Sequence, residues 1–406
     1  MNCIVAQSGG PTAAINASLA GVITAVSEHS EFDILYGAIH GIQGVLREQF
    51  QILSDKDAAF TEQLMLTPAM YLGSCRYKLP DPDTENAVYS QIFKVFERYE
   101  IGAFFYIGGN DSMDTVDKLS SYGQKIHSDV RIVGIPKTID NDLILTDHTP
   151  GFGSAAKYIA TIVREIAYDS YIYDVESATI VEIMGRDAGW LTAASVLART
   201  GTSLAPHRIY LPEVPFHTEN FLTDLSALIG KHRNVVIAVS EGIRDAEGNY
   251  ISATEAAADR FGHAQLSGAG KCLENLVKDR LGVKVRSVEV NVLQRCAAHL
   301  TSGTDIAEAA ASGRYAVERA AAGETAFMSA IYRMSDQPYR TEFTSVPVSE
   351  VANRAKEVPR EMINDAGNDV TDEMIAYLKP LVVGENIPQF ESGIPDFIDV
   401  SHLTRH

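Results

Sequence analysis

The chain has 406 residues, which suits two or three domains rather than one, and its 46% hydrophobic and 21% charged content is ordinary for a soluble globular protein. No apolar run approaches the ~18–20 residues needed to cross a bilayer. The net charge of −19 repels nucleic acid and anionic membranes, so neither is an expected partner.

The opening MNCIVAQSGG lacks a basic stretch ahead of its apolar residues, so no signal peptide is expected. Cys3, Cys75, Cys272 and Cys296 are far apart and form no CxxC pair, which predicts reduced thiols and a cytoplasmic protein. CIVAQ reads as a buried strand broken by SGGP. TAAINASLAGVITAVSEH then carries Ile15, Leu19, Ile23 and Val26 at helical spacing. The same strand, turn, helix order returns as AFFYI, GGNDS and MDTVDKL, and more loosely as ATIVEIM, GRDAG and WLTAASVLAR. RIVGI and VVIAVSEG are further buried strands with polar ends. Strands and helices alternating in this way predict parallel sheets with helices on both faces. Thr149-Pro150-Gly151-Phe152-Gly153 is the best internal break. Beyond about residue 335 the rhythm changes to short strands and peripheral helices, read as a C-terminal extension packed on the core.

Ligands of open parallel sheets bind beyond the carboxyl ends of the strands. SGG (8–10), GGNDS (108–112), PKTIDND (136–142), MGR (184–186) and SEG (240–242) all fall there. Each alone is equally a tight turn or a helix cap. Their recurrence at one topological position is the stronger signal. Gly9–Gly10 and Gly108–Gly109 let backbone approach a phosphate, and the following helix offers free N–H groups. In PKTIDND, Asp140 and Asp142 are two residues apart, and in an extended stretch they face the same way. Such a pair suits a magnesium ion held together with substrate phosphates, or a base tuned by its neighbour. An Asx-turn explains the same residues without chemistry.

Other signals are weak. SGAGKC (267–272) lacks the first glycine of a P-loop and has Cys272 where Ser or Thr should stand. GxGxxG is absent, and the eleven histidines show no HExxH spacing, so neither a nicotinamide nor a zinc site is expected.

QSGGPTAAIN, GSCRYKL, GGNDS, PKTIDND, TPGFGSA, VEIMGR and VSEG, in this order, resemble the phosphofructokinase family from the N-terminus to about residue 320. Within it the chain looks like the pyrophosphate-dependent branch. The resemblance implies an α/β fold of two Rossmann-like three-layer domains with mostly parallel sheets plus a C-terminal extension. Residues 1–150, joined by part of 295–335, would bind the phosphoryl donor. Residues 151–294 would bind fructose 6-phosphate, and 335–406 would form the extension. The implied reaction is reversible phosphoryl transfer from pyrophosphate to the 1-hydroxyl of fructose 6-phosphate, giving fructose 1,6-bisphosphate and phosphate in cytoplasmic glycolysis. Mg²⁺ and a homodimer or homotetramer are implied with it.

The resemblance also implies roles. Asp140 would be the general base and Asp142 its electrostatic support. Thr138 and Ile139 would lie at the substrate. Met184, Gly185, Arg186 and Glu241 would hold the sugar phosphate, with Arg186 also catalytic. Gly10 would cradle the donor, and Arg76 would bridge donor and acceptor. Asp111 stands where ATP-using members have glycine and would occupy the place of a nucleotide's α-phosphate. Lys137 would pair with Asp111 and contact pyrophosphate, so these two would set donor specificity by like-charge rejection of ATP. Asn110 and Asp111 would be metal ligands, although the family usually has Asp at 110. Arg295 of NVLQRC is the candidate for the 6-phosphate, and an alternative alignment puts Ala297 there. Lys137, Arg76, Arg186, helix N-termini and Mg²⁺ would together make a positive pocket inside an acidic shell. The rivals are an ATP-dependent 6-phosphofructokinase, a kinase of the NAD or diacylglycerol type, and a catalytically silent regulatory subunit. Asp140, Asp142 and Arg186 are all present, which argues against the last.

Overall fold

The fold is described from a computed structural model over residues 1–252 and 268–404. Ser267, the first residue of SGAGKC, lies outside the described residues, and the rest of that stretch opens helix Ala269–Leu281. In chain order the strands up to residue 347 are β1 (Asn2–Gln7), β2 (Leu35–Ala38), β3 (Phe50–Ile52), β4 (Ile101–Gly108), β5 (Arg131–Pro136), β6 (Ser177–Ile183), β7 (Arg208–Tyr210), β8 (Asn234–Ser240), β9 (Lys284–Glu289), β10 (Thr301–Ser302), β11 (Phe327–Asp336) and β12 (Tyr339–Pro347).

Two sheets organise the molecule. The larger has the order β12-β11-β5-β4-β1-β2-β3, and the smaller β7-β8-β6-β9. All pairings of the smaller sheet are parallel. In the larger one only β3 on β2 and β12 on β11 are antiparallel. Both sheets are covered on both faces, which is why the central strands are continuous apolar runs rather than alternating ones. Cys3–Ala6, Ala103–Ile107 and Val235–Val239 are buried throughout. Ile15, Leu19, Ile23 and Val26 lie on helix Ile15–Glu28 and form one buried stripe against β1 and β4.

The end of the chain is built into this core. β11 pairs parallel with β5 through Phe327–Val133 and Met328–Gly134, and β12 returns beside it over nine residues. Residues 327–347 therefore supply the two strands at one edge of the larger sheet. No helix among the described residues is long and apolar enough to cross a membrane.

Helix Phe152–Tyr171 begins at the predicted break, and its start is held from a distant helix, Gly303–Ala321. Asp305, 2% exposed, accepts the N–H of Gly151 at 2.8 Å and that of Ser154 at 2.9 Å. One carboxylate thereby satisfies two of the N–H groups that a helix start leaves unpaired. Asp305→Ala orphans both, and the expected loss of stability is about 1–3 kcal/mol, read as a lower urea midpoint, with Asp305→Asn recovering part of it.

Candidate functional site

The predicted loops converge. β1 leads into Gly9–Thr12, β4 into Gly109–Ser112 and β5 into Lys137–Asp142. β6 leads into Met184–Ala188 and β8 into Glu241. These segments line one cavity of about 430 Å³ between the carboxyl ends of the two sheets, and Arg295 joins them from a 3₁₀ turn. Gly10, Asn110, Asp111, Lys137, Thr138 and Ile139 all reach the lining. So do Asp140, Asp142, Met184, Gly185, Arg186 and Glu241. Arg76 does not: it is exposed, and Lys78 of the same loop lines the cavity instead. Sequence reasoning also missed Asn353, Ala355 and Glu357, which close one side. Their segment carries no motif, and only the fold brings it here.

Lys137 is 5% exposed and runs under the first loop. A Cβ on Gly9, whose φ is +82°, would lie 2.8 Å from the Lys137 ammonium. A Cβ on Gly10 would lie 3.3 Å from an Arg295 guanidinium nitrogen. The glycine pair thus makes room for two cations. Burial pushes Lys137 down to about 8, while Asp140 and Asp142 pull it back up, so the ammonium stays mostly charged at neutral pH. The ammonium faces the Gly9 and Gly109 backbone.

The aspartate loop is irregular backbone held by its own side chains. The Thr138 hydroxyl accepts the Asp140 N–H at 3.1 Å and the Asn141 Oδ1 accepts the Thr149 N–H at 3.1 Å. Asn141 is in the left-handed region at φ 55° and fully buried. Among the described residues, Asp140 and Asp142 enter no ion pair. Burial pushes Asp142 up to about 6, and the charge of Asp140 adds to the effect.

Glu241 anchors the opposite wall. Its Oε1 accepts the N–H groups of Gly185 at 3.2 Å and Arg186 at 3.0 Å. Burial pushes its carboxyl up to about 7. Gly242 has a packing reason: a Cβ there would lie 1.7 Å from the Arg186 carbonyl oxygen. Asn110 has a different job from the expected one. Its Oδ1 accepts the Asn353 N–H at 2.7 Å and its Nδ2 donates to the Arg354 carbonyl at 2.6 Å. Both ends of the amide are thus used to tie down the C-terminal segment.

The lining carries Lys78, Lys137, Arg186 and Arg295 against Asp111, Asp140, Asp142, Asp187, Glu241 and Glu357. Side chains alone therefore do not make the expected positive pocket. Added protons or a bound cation would offset the acidic excess of this lining. No group of three or more His, Cys, Asp or Glu forms a closed metal cage among the described residues. The donor set instead fits a hard cation that takes one or two carboxylates and keeps its remaining positions for water and phosphate oxygens, as Mg²⁺ does.

A phosphofructokinase family profile matches residues 2–319. The chain is 41% identical over 408 residues to a pyrophosphate–fructose 6-phosphate 1-phosphotransferase of Halomonas elongata, covering 100% of this chain and 96% of that one. It is 40% identical to a protein of the same name from Methylococcus capsulatus, covering 99% and 96%. The crystal structure of a pyrophosphate-dependent phosphofructokinase from Marinobacter aquaeolei superposes with a TM-score of 0.87 at 37% identity, covering 98% of this chain and 95% of that one.

Asp142 holds its proton more tightly folded than unfolded, so its contribution to stability falls as pH rises from the ordinary aspartate range to about 6 and is level above it. Asp142→Asn removes that slope. In urea titrations the stability gap between variant and wild type is expected to widen, in the variant's favour, from about pH 4 to about pH 6, then hold constant.

Proposed function

The chain belongs to the phosphofructokinase family, and from that premise we infer that it transfers a phosphoryl group from pyrophosphate to the 1-hydroxyl of fructose 6-phosphate. The products are fructose 1,6-bisphosphate and phosphate, and the reaction runs in both directions. The observation that carries this reading is Asp111. It stands in the first turn of helix Asn110–Lys125 and lines the cavity beside the buried Lys137, at full-length similarity to pyrophosphate-using relatives. A carboxylate there repels the extra phosphate of a nucleotide.

In this reading the 1-hydroxyl oxygen attacks the terminal phosphorus of pyrophosphate. The bridging P–O bond breaks and phosphate leaves with the electron pair. Asp140 takes the hydroxyl proton, with Asp142 beside it as electrostatic support. Phosphoryl transfer leaves little covalent work to the protein, so positioning and charge dominate. Lys137 and the Gly9–Gly10 backbone receive the donor, with Lys78 reaching in from the loop that also carries Arg76. Thr138 and Ile139 border the reacting groups. Arg186, Met184, Gly185 and Arg295 hold the sugar phosphate, and Glu241 keeps the Arg186 loop in place. The larger sheet thereby serves pyrophosphate and the smaller one the sugar. Asp111 and Asp142 would hold Mg²⁺, whose chemistry is to neutralise charge on the phosphates. Asn110 is left out of that set because its amide is committed to residues 353 and 354. The proposal extends to a cytoplasmic, glycolytic homodimer or homotetramer, as the family resemblance implies.

The purified chain is expected to form fructose 1,6-bisphosphate with Mg²⁺ and pyrophosphate and to be inactive with ATP. Activity with ATP alone overturns the donor assignment, and activity with neither favours a regulatory subunit. Asp140→Asn is expected to lower kcat by ~10²–10⁴ with little change in KM, because a positioned base contributes about that much.

A further inference from the structure

Residues 353–358 cross from the larger sheet to the smaller one. At one end Asn353 and Arg354 are tied to Asn110. At the other the Val358 N–H donates at 2.9 Å to Glu213 Oε1, which also accepts the Gly189 N–H at 2.7 Å. Ala355 and Glu357 line the cavity, and Lys356 between them does not.

Lys356 points away from the cavity into the back of the aspartate loop. Its ammonium donates to the Asp147 carbonyl at 2.8 Å, the Thr146 carbonyl at 3.2 Å and Asn141 Oδ1 at 3.3 Å. Its backbone N–H donates to the Asp142 carbonyl at 2.7 Å. Its own carbonyl accepts the Trp190 indole N–H at 3.0 Å, and the ammonium lies 5.1 Å from the centre of that ring. All three ammonium hydrogens therefore go to neutral oxygens of residues 141–147. Burial pushes this ammonium down to about 8.

The loop needs such a partner. It has no regular hydrogen-bond ladder, and Asn141 and Leu145 both have positive φ, at 55° and 60°. Buried acceptors in such backbone must be satisfied from outside. A charged donor serves three of them at once, and charge-assisted bonds are the stronger kind.

We propose that Lys356 is a positioning residue, which holds residues 141–147 from behind and so sets where the Asp140 and Asp142 carboxylates stand. The C-terminal segment thereby becomes part of the reaction's geometry without touching substrate. The kinetic part of this inference rests on the phosphoryl-transfer reading above.

The test is Lys356→Met, which keeps the stem and removes the three donors. Hydrogen–deuterium exchange over residues 138–149 is expected to rise about tenfold or more while β1 and β4 stay protected. With pyrophosphate and fructose 6-phosphate, kcat is expected to fall ~10²-fold, the cost of a small misplacement of reacting groups. KM for both substrates is expected to stay within about threefold. Tyr377→Phe is the second variant. It removes a hydroxyl that accepts from Asn141 at 2.9 Å and donates to the Asp147 carbonyl at 2.9 Å. Its losses are expected in the same direction, smaller, and not additive with the first. Unchanged exchange in 138–149, or a general rise across both sheets, overturns the proposal. So does a kcat within about threefold of wild type in a chain that uses pyrophosphate. Should Lys356→Met fail to fold, Tyr377→Phe decides by the same readings. Should the wild type be inactive with pyrophosphate, the functional reading falls and the exchange data alone judge Lys356.

Discussion

Two carboxylates two residues apart, facing a partly closed cavity without an ion pair, are the constraint on which the site depends. Asp140 and Asp142 repel one another, and burial sharpens the repulsion, as the raised affinity of Asp142 for its proton records. Such an arrangement persists only when surrounding groups over-determine the backbone that carries it. Thr138 pins Asp140 through its N–H. Asn141, Tyr377 and Lys356 pin the residues between and beyond the pair. The neighbouring cations, Lys137, Arg186 and Arg295, come from three separate segments and form no ion pair with either aspartate among the described residues. The charge of the pair is thus left facing the cavity.

Three further carboxylates, Glu241, Glu213 and Asp305, serve the backbone. Glu241 gathers the N–H groups of Gly185 and Arg186, and Glu213 gathers those of Gly189 and Val358. Asp305 does the same for the start of helix Phe152–Tyr171. In each case a buried or half-buried carboxylate is stabilised by amide donors in place of water, and two distant pieces of chain are fastened together. Behind the aspartate loop His148 sits between Asp147 and Glu308 at 2.7 Å from each, with Arg333 on Asp147 and Tyr339 on Glu308. These two carboxylates outweigh burial and raise the histidine's pKa. The C-terminal hairpin is joined to the core through this network, since Arg333 lies on β11 and Tyr339 on β12.

The overall charge of −19 and the more numerous acidic than basic side chains of the cavity point the same way. A polyanion such as pyrophosphate is repelled by the protein's long-range field. Its binding must come from close donors: the Lys137 ammonium, loop N–H groups, the arginines and a cation it brings or meets. Gly9 and Gly10 suit this need, since a Cβ on either would crowd the Lys137 ammonium or the Arg295 guanidinium.

The strands, the helix stripe of Ile15, Leu19, Ile23 and Val26, and the five loops of the site were legible in the amino-acid sequence. Each depends on residues adjacent in the chain: an apolar run, a helical period, a glycine or proline that stops a strand. Parallel topology then places such loops together at the strand ends, so Lys137, Asp140 and Arg186 could be named before any coordinates. Other features had no local signature. Asn110 read as a metal ligand because its neighbours form a loop motif, yet its amide is claimed by residues 243 and 244 positions away. Arg76 and Lys78 are both cations in one loop, and only the path of that loop decides which lines the cavity. Asn353, Ala355, Lys356 and Glu357 lie in a segment without periodicity, held by side chains and backbone groups of other segments. Hydrogen bonds across such separations are chosen by packing, so tertiary structure alone decided them.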